Sequence, residues 1–442
     1  MSERWARAFL STYRWAGAAS YPFVGGYVVW RASKGMEDRS RRHERYGRAG
    51  QQRPNGPLIW VHAAGEGETV AVVALIDHFL SLGVSVVLTT NTLSSAETCS
   101  ERLGSRVIHQ YVPLDMKPAL SRFLEHWKPD LAVFAESEIW PMTILELGAR
   151  RIPQVLVSGR MSDRAFASWK KRIWIAEALF ENFSMVVAQS ETDAERFLTL
   201  GARPVAVGGN LRTDIKPPPV DELELKRVQN EIGQRERWVA LATRDGEEAV
   251  AGEVHKMLKN RHPDILTIIV PRHPWRGDTL ETELTALGLN VARRSRRDKI
   301  TSKTHILLGD TSGETGLYLR LGEIVFLGNS LLGKGGGENP LDAVMLNSAV
   351  LAGQNIGYYR DIYQPLIDRG GVRLVRDRNM LAGAVNHLLR NEKARRDIAA
   401  AGAAGVEGMR GALARTVRNL KPYVHPLVVK ARLQEDGTRR RG

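Results

Sequence analysis

From residue 58 onward the chain alternates short β-rich runs with helical stretches, and this alternation limits its fold more than any other feature. Strands separated by helices pair in parallel, and the helices then cover both faces of the sheet. The sequence therefore predicts an α/β protein with two doubly wound, Rossmann-like domains. The runs are LIWVHA, VSVVLTT, LAVFAES, QVLVSG, MVVAQS and PVAVGG in the first half, and WVALATR, LTIIVPR, HILLGD, EIVFLGN, AVLAG and VRLVRD in the second.

A proline-rich segment, KPPPVDE, interrupts the alternation and predicts a stiff linker between two domains. Two doubly wound domains joined by a short linker are expected to face each other across a cleft. Their ligands are expected at the carboxyl ends of the strands. We place the boundaries at 1–48 for an N-terminal segment, 49–215 for the first domain, 216–222 for the linker, 223–425 for the second domain and 426–442 for a basic tail.

The formal net charge of +14 favours an anionic partner: nucleic acid, an acidic membrane surface or a phosphorylated substrate. No helix-turn-helix, zinc-finger or RNP-type pattern supports nucleic acid. The uncharged run WAGAASYPFVGGYVVW is followed by RASKGMEDRSRRHERYGR, which has seven Lys or Arg against three acids. An aromatic, apolar segment before a basic one predicts an anchor on an anionic lipid surface. A buried helical hairpin is the alternative, since spanning a bilayer takes about 20 apolar residues.

Cysteine and histidine usage gives no sign of a disulfide or a metal centre. Cys99 is the only cysteine, so an intramolecular disulfide is impossible. No C-x-x-C or H-E-x-x-H spacing is present, and we therefore expect no metal site.

Polar side chains are concentrated where the predicted strands end. VHAAGEGET, AESEIWP, SGR, QSETD and GGNLRTD follow strands of the first half, and ATRDGEE, PRHP, GDTSGE and GNSLLGKGGGENPLD follow strands of the second. GEGETV is not a dinucleotide fingerprint, because its third glycine is missing and acids replace neutral positions. Glu66 and Glu68 would repel a phosphate at this turn, so we expect the anion site elsewhere.

The loop GKGGGENP in the second half predicts that anion site, because a glycine-rich loop enters a helix start there. Lys334, Arg272 and Arg244 are expected to close around one anionic group. Asp342, one turn into the helix, is expected to accept hydrogen bonds from ribose hydroxyls. A flexible surface turn is the alternative for the loop, and a strand-end salt bridge is the alternative for Arg272 and His273.

Taken together, these motifs resemble the 3-deoxy-D-manno-octulosonic acid (Kdo) transferases of lipid A assembly, which have the GT-B glycosyltransferase fold. The H-x5-GET-like turn, AESEIWP, PRHP, GDTSGE and the GG-x-NP-L-acid segment carry the resemblance. It implies an inverting, metal-independent transferase without a cofactor, which moves Kdo from CMP-Kdo to the tetraacyldisaccharide 1,4'-bisphosphate precursor of lipid A. The resemblance also implies lipopolysaccharide synthesis at the cytoplasmic face of the bacterial inner membrane.

The same resemblance implies roles for individual residues. Glu68 corresponds to the catalytic base, and a carboxylate at a helix N-terminus suits that role because the helix dipole favours its ionised form. Glu138 is expected to shape the catalytic site, with an acid near a helix N-cap as the alternative. The acceptor-binding residues are expected to be His62, Gly67 and Arg160, and the donor-binding residues Arg212, Arg244, Arg272, His273, Ser312, Gly313, Glu314, Lys334, Gly336, Gly337, Asn339 and Asp342.

Two acidic residues depart from the family pattern close to these sites. Glu66 replaces a hydrophobic residue, and we expect it to raise the pKa of Glu68 by repulsion or to compete with Glu68 as the base. Glu338 replaces a histidine, and the sequence offers no explanation for an acid beside a leaving phosphate. These departures leave open a GT-B transferase with another nucleotide sugar, or a non-catalytic membrane-bound binding protein that has kept the fold.

Overall fold

The computed structural model describes residues 24–33, 37–332 and 336–439, without the side chains of Val24, Tyr27 and residues 434–439. The described residues form two compact units. The first unit comprises the described residues up to Ile215 together with those from Arg410 onward, and the second unit comprises those within Lys216–Met409. Each unit contains one seven-stranded sheet in which every strand pairing is parallel, so the α/β prediction is confirmed.

The first unit has the strand order β3-β2-β1-β4-β5-β6-β7. Its strands are β1 (Leu58–His62), β2 (Ser85–Thr90), β3 (Ile108–Tyr111), β4 (Leu131–Ala135), β5 (Gln154–Gly159), β6 (Met185–Ala188) and β7 (Val205–Val207). Its helices are α1 (Val24–Ser33), α2 (Glu66–Ser81), α3 (Leu93–Leu103), α4 (Lys117–Trp127), α5 (Pro141–Ala149), α6 (Asp163–Lys170), α7 (Ile173–Phe180) and α8 (Glu191–Thr199).

The second unit has the strand order β10-β11-β9-β8-β12-β13-β14. Its strands are β8 (Arg237–Thr243), β9 (Leu266–Pro271), β10 (Val291–Arg293), β11 (Ile306–Leu308), β12 (Ile324–Leu327), β13 (Ala349–Ala352) and β14 (Val372–Leu374). Its helices are α9 (Glu222–Ile232), α10 (Glu247–Lys259), α11 (Gly277–Ala286), α12 (Thr315–Leu321), α13 (Leu341–Met345), α14 (Arg360–Asp368), α15 (Arg378–Arg390) and α16 (Glu392–Met409).

The central strands are apolar along their length because helices cover both faces of each sheet. Every residue of β1, β4 and β9 is buried. In the first unit, for example, Trp60 packs against Phe123 and Phe134, at ring-centroid distances of 4.7 and 5.4 Å. Apolar strand interiors leave the strand ends as the places where polar side chains reach the surface.

The last helix, α17 (Ala412–Arg439), returns the chain to the first unit, whereas we expected the second domain to run to residue 425 and a basic tail to follow. Leu420, Val424 and Leu427 are buried in the same apolar cluster as strand residues of the first sheet. The Asp214 carboxylate accepts hydrogen bonds from backbone N–H groups at the start of this helix, including that of Gly411 at 2.8 Å. Residues 440–442 of the predicted tail lie outside the described residues.

The predicted membrane anchor lies partly outside the described residues, and of its uncharged run only the part within α1, from residue 24 onward, is described. Val29 and Trp30 on this helix are 55% and 51% exposed. Within the described part of the chain, no helix combines the length and the apolar character that crossing a membrane requires. After α1, the buried carboxylate of Glu37 is paired with Arg31 and Arg45 at 2.7 and 2.9 Å.

Truncating Leu420 should destabilise the first unit selectively. Its side chain is fully buried, so Leu420→Ala is expected to lower the free energy of unfolding by about 2–5 kcal/mol. Leu433→Ala on the same helix is the matched control, because Leu433 is 67% exposed and should change stability by less than about 0.5 kcal/mol. Urea unfolding with hydrogen exchange measures both. Equal effects of the two substitutions, or loss of protection only in β8 and β9, would contradict the assignment of α17 to the first unit.

Candidate active site

Glu68 lies in the first turn of α2, which begins directly after the carboxyl end of β1. Its Oε2 accepts a hydrogen bond from the N–H of Gly65, the N-cap residue, at 2.6 Å. The N–H and hydroxyl of Thr69 donate to the Gly65 carbonyl at 3.0 and 2.8 Å and close the turn. The side chain of Glu68 is thus held in one orientation at a helix start, and it remains partly exposed.

Burial is the main cause of a raised pKa at Glu68, and repulsion by the Glu136 carboxylate adds to it. The negative charge of Glu138 raises the pKa of Glu68 further, whereas the hydrogen bond from the Gly65 N–H and the positive charge of Arg212 lower it. We expected the helix dipole to favour the ionised form, but burial and the neighbouring acids outweigh it. A carboxylate with a raised pKa binds a proton more readily, which suits a general base.

The acid that raises the pKa of Glu68 most is Glu136, which follows β4, whereas repulsion by Glu66 was one of the two effects that we expected of that residue. The charge of Glu66 acts instead on Glu101, whose pKa is raised mainly by burial. Glu136 was not among the predicted site residues, although it belongs to the quoted motif AESEIWP.

Glu136 and Arg212 form a buried ion pair, with 2.6 Å between Arg212 Nε and Glu136 Oε1. The Arg212 guanidinium lies against the backbone of α2 at Gly67. A Cβ added to Gly67 would be only 2.4 Å from Arg212 Nη1, so a larger residue at this position would displace the guanidinium. Glu136 adopts a left-handed backbone conformation (φ 57°), a strained state that often marks functional positions. Arg212, predicted to bind the donor, is a residue of the first unit whose guanidinium is paired with this acid.

Glu138 is the second acid near Glu68, and its Oε2 accepts a hydrogen bond from Trp140 Nε1 at 2.5 Å. His62 Nε2 lies 3.3 Å from the same oxygen, and His62 Nδ1 lies 2.9 Å from the Thr89 hydroxyl. With Nε2 protonated, His62 donates to Glu138 while the Thr89 hydroxyl donates to Nδ1. Burial alone would raise the pKa of Glu138, but the hydrogen bonds from His62 and Trp140 prevail and lower it.

His62 and Arg160, both predicted to bind the acceptor, have different surroundings. His62 is only 1% exposed, so its contact with Glu138 positions that acid rather than presenting the imidazole to solvent. Arg160 follows β5, is partly exposed, and its N–H donates to the Glu136 carbonyl at 3.1 Å. These contacts place four residues at the edge of the first sheet where its strands have their carboxyl ends: His62, Glu136, Glu138 and Arg160.

In the second unit, Arg244 and Arg272 follow the neighbouring strands β8 and β9, as predicted from the sequence. The N–H of Arg272 donates to the Thr243 carbonyl at 2.9 Å, which aligns the two strand ends. Glu338 Oε1 lies 3.9 Å from Arg244 Nη2 and 3.9 Å from Arg272 Nε. The acid that the sequence could not explain therefore lies between the two arginines expected to bind an anion.

His273 lies beside Trp275, with 4.4 Å between the ring centroids. Partial burial lowers the pKa of His273, and the charges of Arg244, Arg272 and Arg276 lower it further, so the neutral imidazole is favoured. Trp275 is 77% exposed and was not predicted as a site residue, although an aromatic residue directly after PRHP was visible in the sequence. The strand end thus combines positive charge with an exposed aromatic surface.

The buried carboxylate of Glu247 fixes the loop after β12. It accepts hydrogen bonds from the N–H groups of Asn329, Ser330 and Leu331, at distances between 2.6 and 3.0 Å. The Asn329 carbonyl in turn accepts a hydrogen bond from the N–H of Gly337 at 2.7 Å. The role of Glu247 is therefore to hold the backbone of two loop segments together.

The predicted helix-terminal anion site falls at α13, a helix of only five residues, and anion binding there stays a prediction. The side-chain oxygen of Asn339 already accepts the N–H of Leu341 at 3.1 Å. Asp342 lies in the first turn of α13 and is partly exposed. Lys334 lies outside the described residues. Of the loop glycines, Gly336 packs closely on Tyr358, where a Cβ would come within 2.4 Å of Cδ2 of the ring.

The GDTSGE motif follows β11, and its acid is held by an arginine. Glu314 Oε1 accepts a hydrogen bond from Arg294 Nη2 at 2.5 Å, and Glu314 Oε2 accepts one from the Thr311 hydroxyl at 2.5 Å. Burial opposes ionisation of Glu314, but these hydrogen bonds prevail and lower its pKa. Ser312 and Gly313 are exposed. Donor binding by these three residues stays a prediction.

In the described part of the chain, no group of three or more His, Cys, Asp or Glu side chains is arranged to hold a metal ion.

A glycosyltransferase from Rickettsia africae ESF-5 has a similar solved structure. It is 12% identical in sequence, the match covers 85% of this chain and 100% of that chain, and the TM-score is 0.55. The likeness shows the fold, which is that of GT-B-type glycosyltransferases with two Rossmann-like units in one chain.

Sequence relatives identify the family. The family model of 3-deoxy-D-manno-octulosonic-acid transferases (kdotransferases) matches residues 40–215. The probable mitochondrial 3-deoxy-D-manno-octulosonic acid transferase of Arabidopsis thaliana is 33% identical over 78% of this chain and 80% of its own length. The 3-deoxy-D-manno-octulosonic acid transferase of Haemophilus influenzae is 30% identical over 91% of this chain and 96% of its own length. The chain belongs to the 3-deoxy-D-manno-octulosonic acid transferase family.

The surroundings of Glu68 predict how its titration responds to substitution. Glu136→Gln removes a negative charge that raises the pKa of Glu68 and leaves Arg212 without its carboxylate, and both changes favour ionised Glu68. The pKa of Glu68 should therefore lie above the ordinary range of a glutamate in the native protein and fall in the variant. The ¹³C chemical shift of the Glu68 carboxyl, assigned by comparison with Glu68→Gln, measures both values.

Glu66→Gln is the matched control for this titration, because Glu66 is in the same turn but is not the acid that raises the pKa of Glu68 most. A larger shift from Glu66→Gln than from Glu136→Gln would contradict the assignment.

Proposed function

We propose that this protein transfers Kdo from CMP-Kdo to the tetraacyldisaccharide 1,4'-bisphosphate precursor of lipid A in lipopolysaccharide synthesis. Family membership supports the transfer of Kdo. The observation that carries the proposal in this chain is Glu68, a carboxylate at a helix start with a raised pKa, next to a second acid with a lowered one. Two carboxyls with opposite pKa shifts suggest separate roles in acid–base chemistry.

In the proposed reaction, Glu68 is the general base. Its carboxylate takes the proton of the acceptor hydroxyl as that oxygen attacks the anomeric carbon of Kdo on the face opposite the leaving group. The bond between the anomeric carbon and the phosphate oxygen breaks, and CMP leaves with the bonding electron pair. The configuration at the anomeric carbon is thereby inverted.

Glu138 is proposed to remain ionised beside Glu68, because His62 and Trp140 stabilise its charge. An ionised Glu138 helps to keep the pKa of Glu68 raised and can orient the acceptor through a hydrogen bond. Through the ion pair with Glu136, Arg212 is proposed to set how strongly Glu68 holds its proton. His62 is a positioning residue in this scheme, since it acts through Glu138.

On the donor side, Arg244 and Arg272 are proposed to neutralise the phosphate of CMP-Kdo and the charge that develops on it as the bond breaks. Their support is their place at the ends of β8 and β9, where ligands of doubly wound sheets bind. The exposed Trp275 next to His273 offers an aromatic face at the same strand end.

The proposal also includes attachment to the cytoplasmic face of the bacterial inner membrane, where a tetraacylated acceptor would be found. The uncharged aromatic run and the basic segment that follows it support this location. The exposed Val29 and Trp30 on α1 are of the type that inserts at a lipid surface.

Replacing the base tests the proposal directly. Glu68→Gln keeps an oxygen that can accept the Gly65 N–H but cannot take a proton, so kcat for Kdo transfer should fall about 100- to 10,000-fold with little change in thermal stability. Product formation is followed by mass spectrometry of the glycosylated lipid acceptor.

Glu66→Gln is the matched control in the same turn, and its kcat should stay within about threefold of the native value. Full activity of Glu68→Gln would refute its role as the base. Loss of activity in Glu66→Gln alone would assign the base to Glu66.

A further inference from the structure

The helix α5 begins with an unusual residue at its N-cap position. That position is occupied by Trp140, whose indole N–H is a donor and cannot accept a hydrogen bond from the helix. Serine, threonine, aspartate or asparagine usually fills it, because their side-chain oxygens accept the free N–H groups of the first helical turn. Met142 and Thr143 in this turn are 0% and 4% exposed, so water has little access to their N–H groups. These groups need an acceptor from elsewhere in the chain.

Asp115, which follows the edge strand β3, supplies that acceptor. Its Oδ2 accepts a hydrogen bond from the N–H of Met142 at 3.0 Å. Its Oδ1 accepts hydrogen bonds from the N–H and the hydroxyl of Thr143, both at 2.7 Å. The backbone before Asp115 is itself held, because the N–H of Leu114 donates to the Arg45 carbonyl at 2.8 Å. A carboxylate from another motif therefore caps α5.

Capping by Asp115 leaves the N-cap position open to a residue with a different task. The Trp140 carbonyl accepts the N–H of Ile144 at 2.9 Å, so the start of α5 fixes the backbone of Trp140. The indole of Trp140 donates to Glu138 Oε2 at 2.5 Å. Its ring lies edge-on to His62, with 6.2 Å between the ring centroids. The cap on α5 is thus connected to Glu138 through a single side chain.

We propose that Asp115 is a positioning residue for Kdo transfer: by capping α5, it holds Trp140 in the orientation in which the indole donates to Glu138. This inference rests on the proposed function for the role of Glu138, and goes beyond it in naming a residue that acts through Trp140. Asp115 takes no part in the bond changes of the proposed reaction. Its effect comes from geometry, since misplacing a group of the active site by about 1 Å can lower the rate on the order of 100-fold.

Asp115→Asn tests the proposal, because it keeps the shape of the side chain but turns an NH₂ group toward one of the two helix N–H groups. The kcat for Kdo transfer should fall on the order of tenfold or more. The KM for CMP-Kdo should stay within about twofold, since the donor is proposed to bind to the second unit. The ¹H–¹⁵N signal of the Trp140 indole, assigned with Trp140→Phe, should shift because its hydrogen bond to Glu138 is disturbed.

Asp221→Asn is the matched control, because the Asp221 carboxylate accepts the N–H groups of Leu223 and Glu224 at the start of α9, at 2.9 and 3.3 Å. It removes a similar helix cap in the second unit. Its kcat should stay within about twofold of the native value, and the Trp140 indole signal should not move.

Thr143→Val is a milder second variant, which removes only the hydroxyl that donates to Asp115. It should change kcat and the Trp140 indole signal in the same direction as Asp115→Asn, but by less. It decides the question if Asp115→Asn does not fold.

A native kcat in folded Asp115→Asn would overturn the proposal. A reduced kcat with an unmoved Trp140 indole signal would also overturn it, since Asp115 would then not act through Trp140. Either result in a protein whose native form transfers Kdo contradicts this inference alone. A native protein that transfers no Kdo would contradict the proposed function as well.

Discussion

Parallel pairing of the strands is the constraint on which both candidate sites depend. In a parallel sheet every strand delivers its carboxyl end to the same edge, so residues far apart in sequence become neighbours there. Helices cover both faces, and the strand interiors must therefore be apolar, as in the fully buried β1 and β4. Polar chemistry is left to the strand ends, which explains why Glu68, Glu138, Arg244 and Arg272 all follow strands.

Within the first unit, burial and hydrogen bonding shift the pKa values of two nearby carboxyls, those of Glu68 and Glu138, in opposite directions. Burial raises the pKa of Glu68, and repulsion by Glu136 and Glu138 adds to the rise, which the N–H of Gly65 only partly opposes. Glu138 receives hydrogen bonds from Trp140 and His62, so its pKa falls despite burial. The Glu136–Arg212 pair acts on Glu68, because Glu136 raises the pKa of Glu68 and Arg212 lowers it. The acidic turn is therefore suited to accepting a proton rather than to holding a phosphate.

Most of the fold could be predicted from the sequence, because long apolar runs between helical stretches are strong signals. The missed strands, β3 and β10, lie at the edges of their sheets. They are short and carry polar residues such as His109 and Arg293, so they lack the apolar run of a central strand. The return of α17 could not be predicted either, since its pattern shows an apolar face but not which core that face covers.

For the candidate sites, the sequence predicted which motifs are involved but not the contacts between residues of different motifs. Glu68, Glu138, Arg244 and Arg272 were predicted as site residues because they follow recognisable strands and lie in motifs that resemble those of the family. The Glu136–Arg212 pair joins residues 76 positions apart, and no local pattern reveals such a contact. The position of Glu338 between two arginines depends in the same way on three separate strand ends and loops. Long-range charge pairing is thus the part of the site that the structure adds.

The most direct test of the account is the release of CMP from CMP-Kdo by the detergent-solubilised full chain, measured with and without the tetraacyl lipid A precursor. If the protein transfers Kdo to this lipid, release depends on the acceptor and matches the amount of glycosylated lipid formed. Release from the folded protein at the rate of spontaneous donor hydrolysis, whether or not acceptor is present, would contradict it.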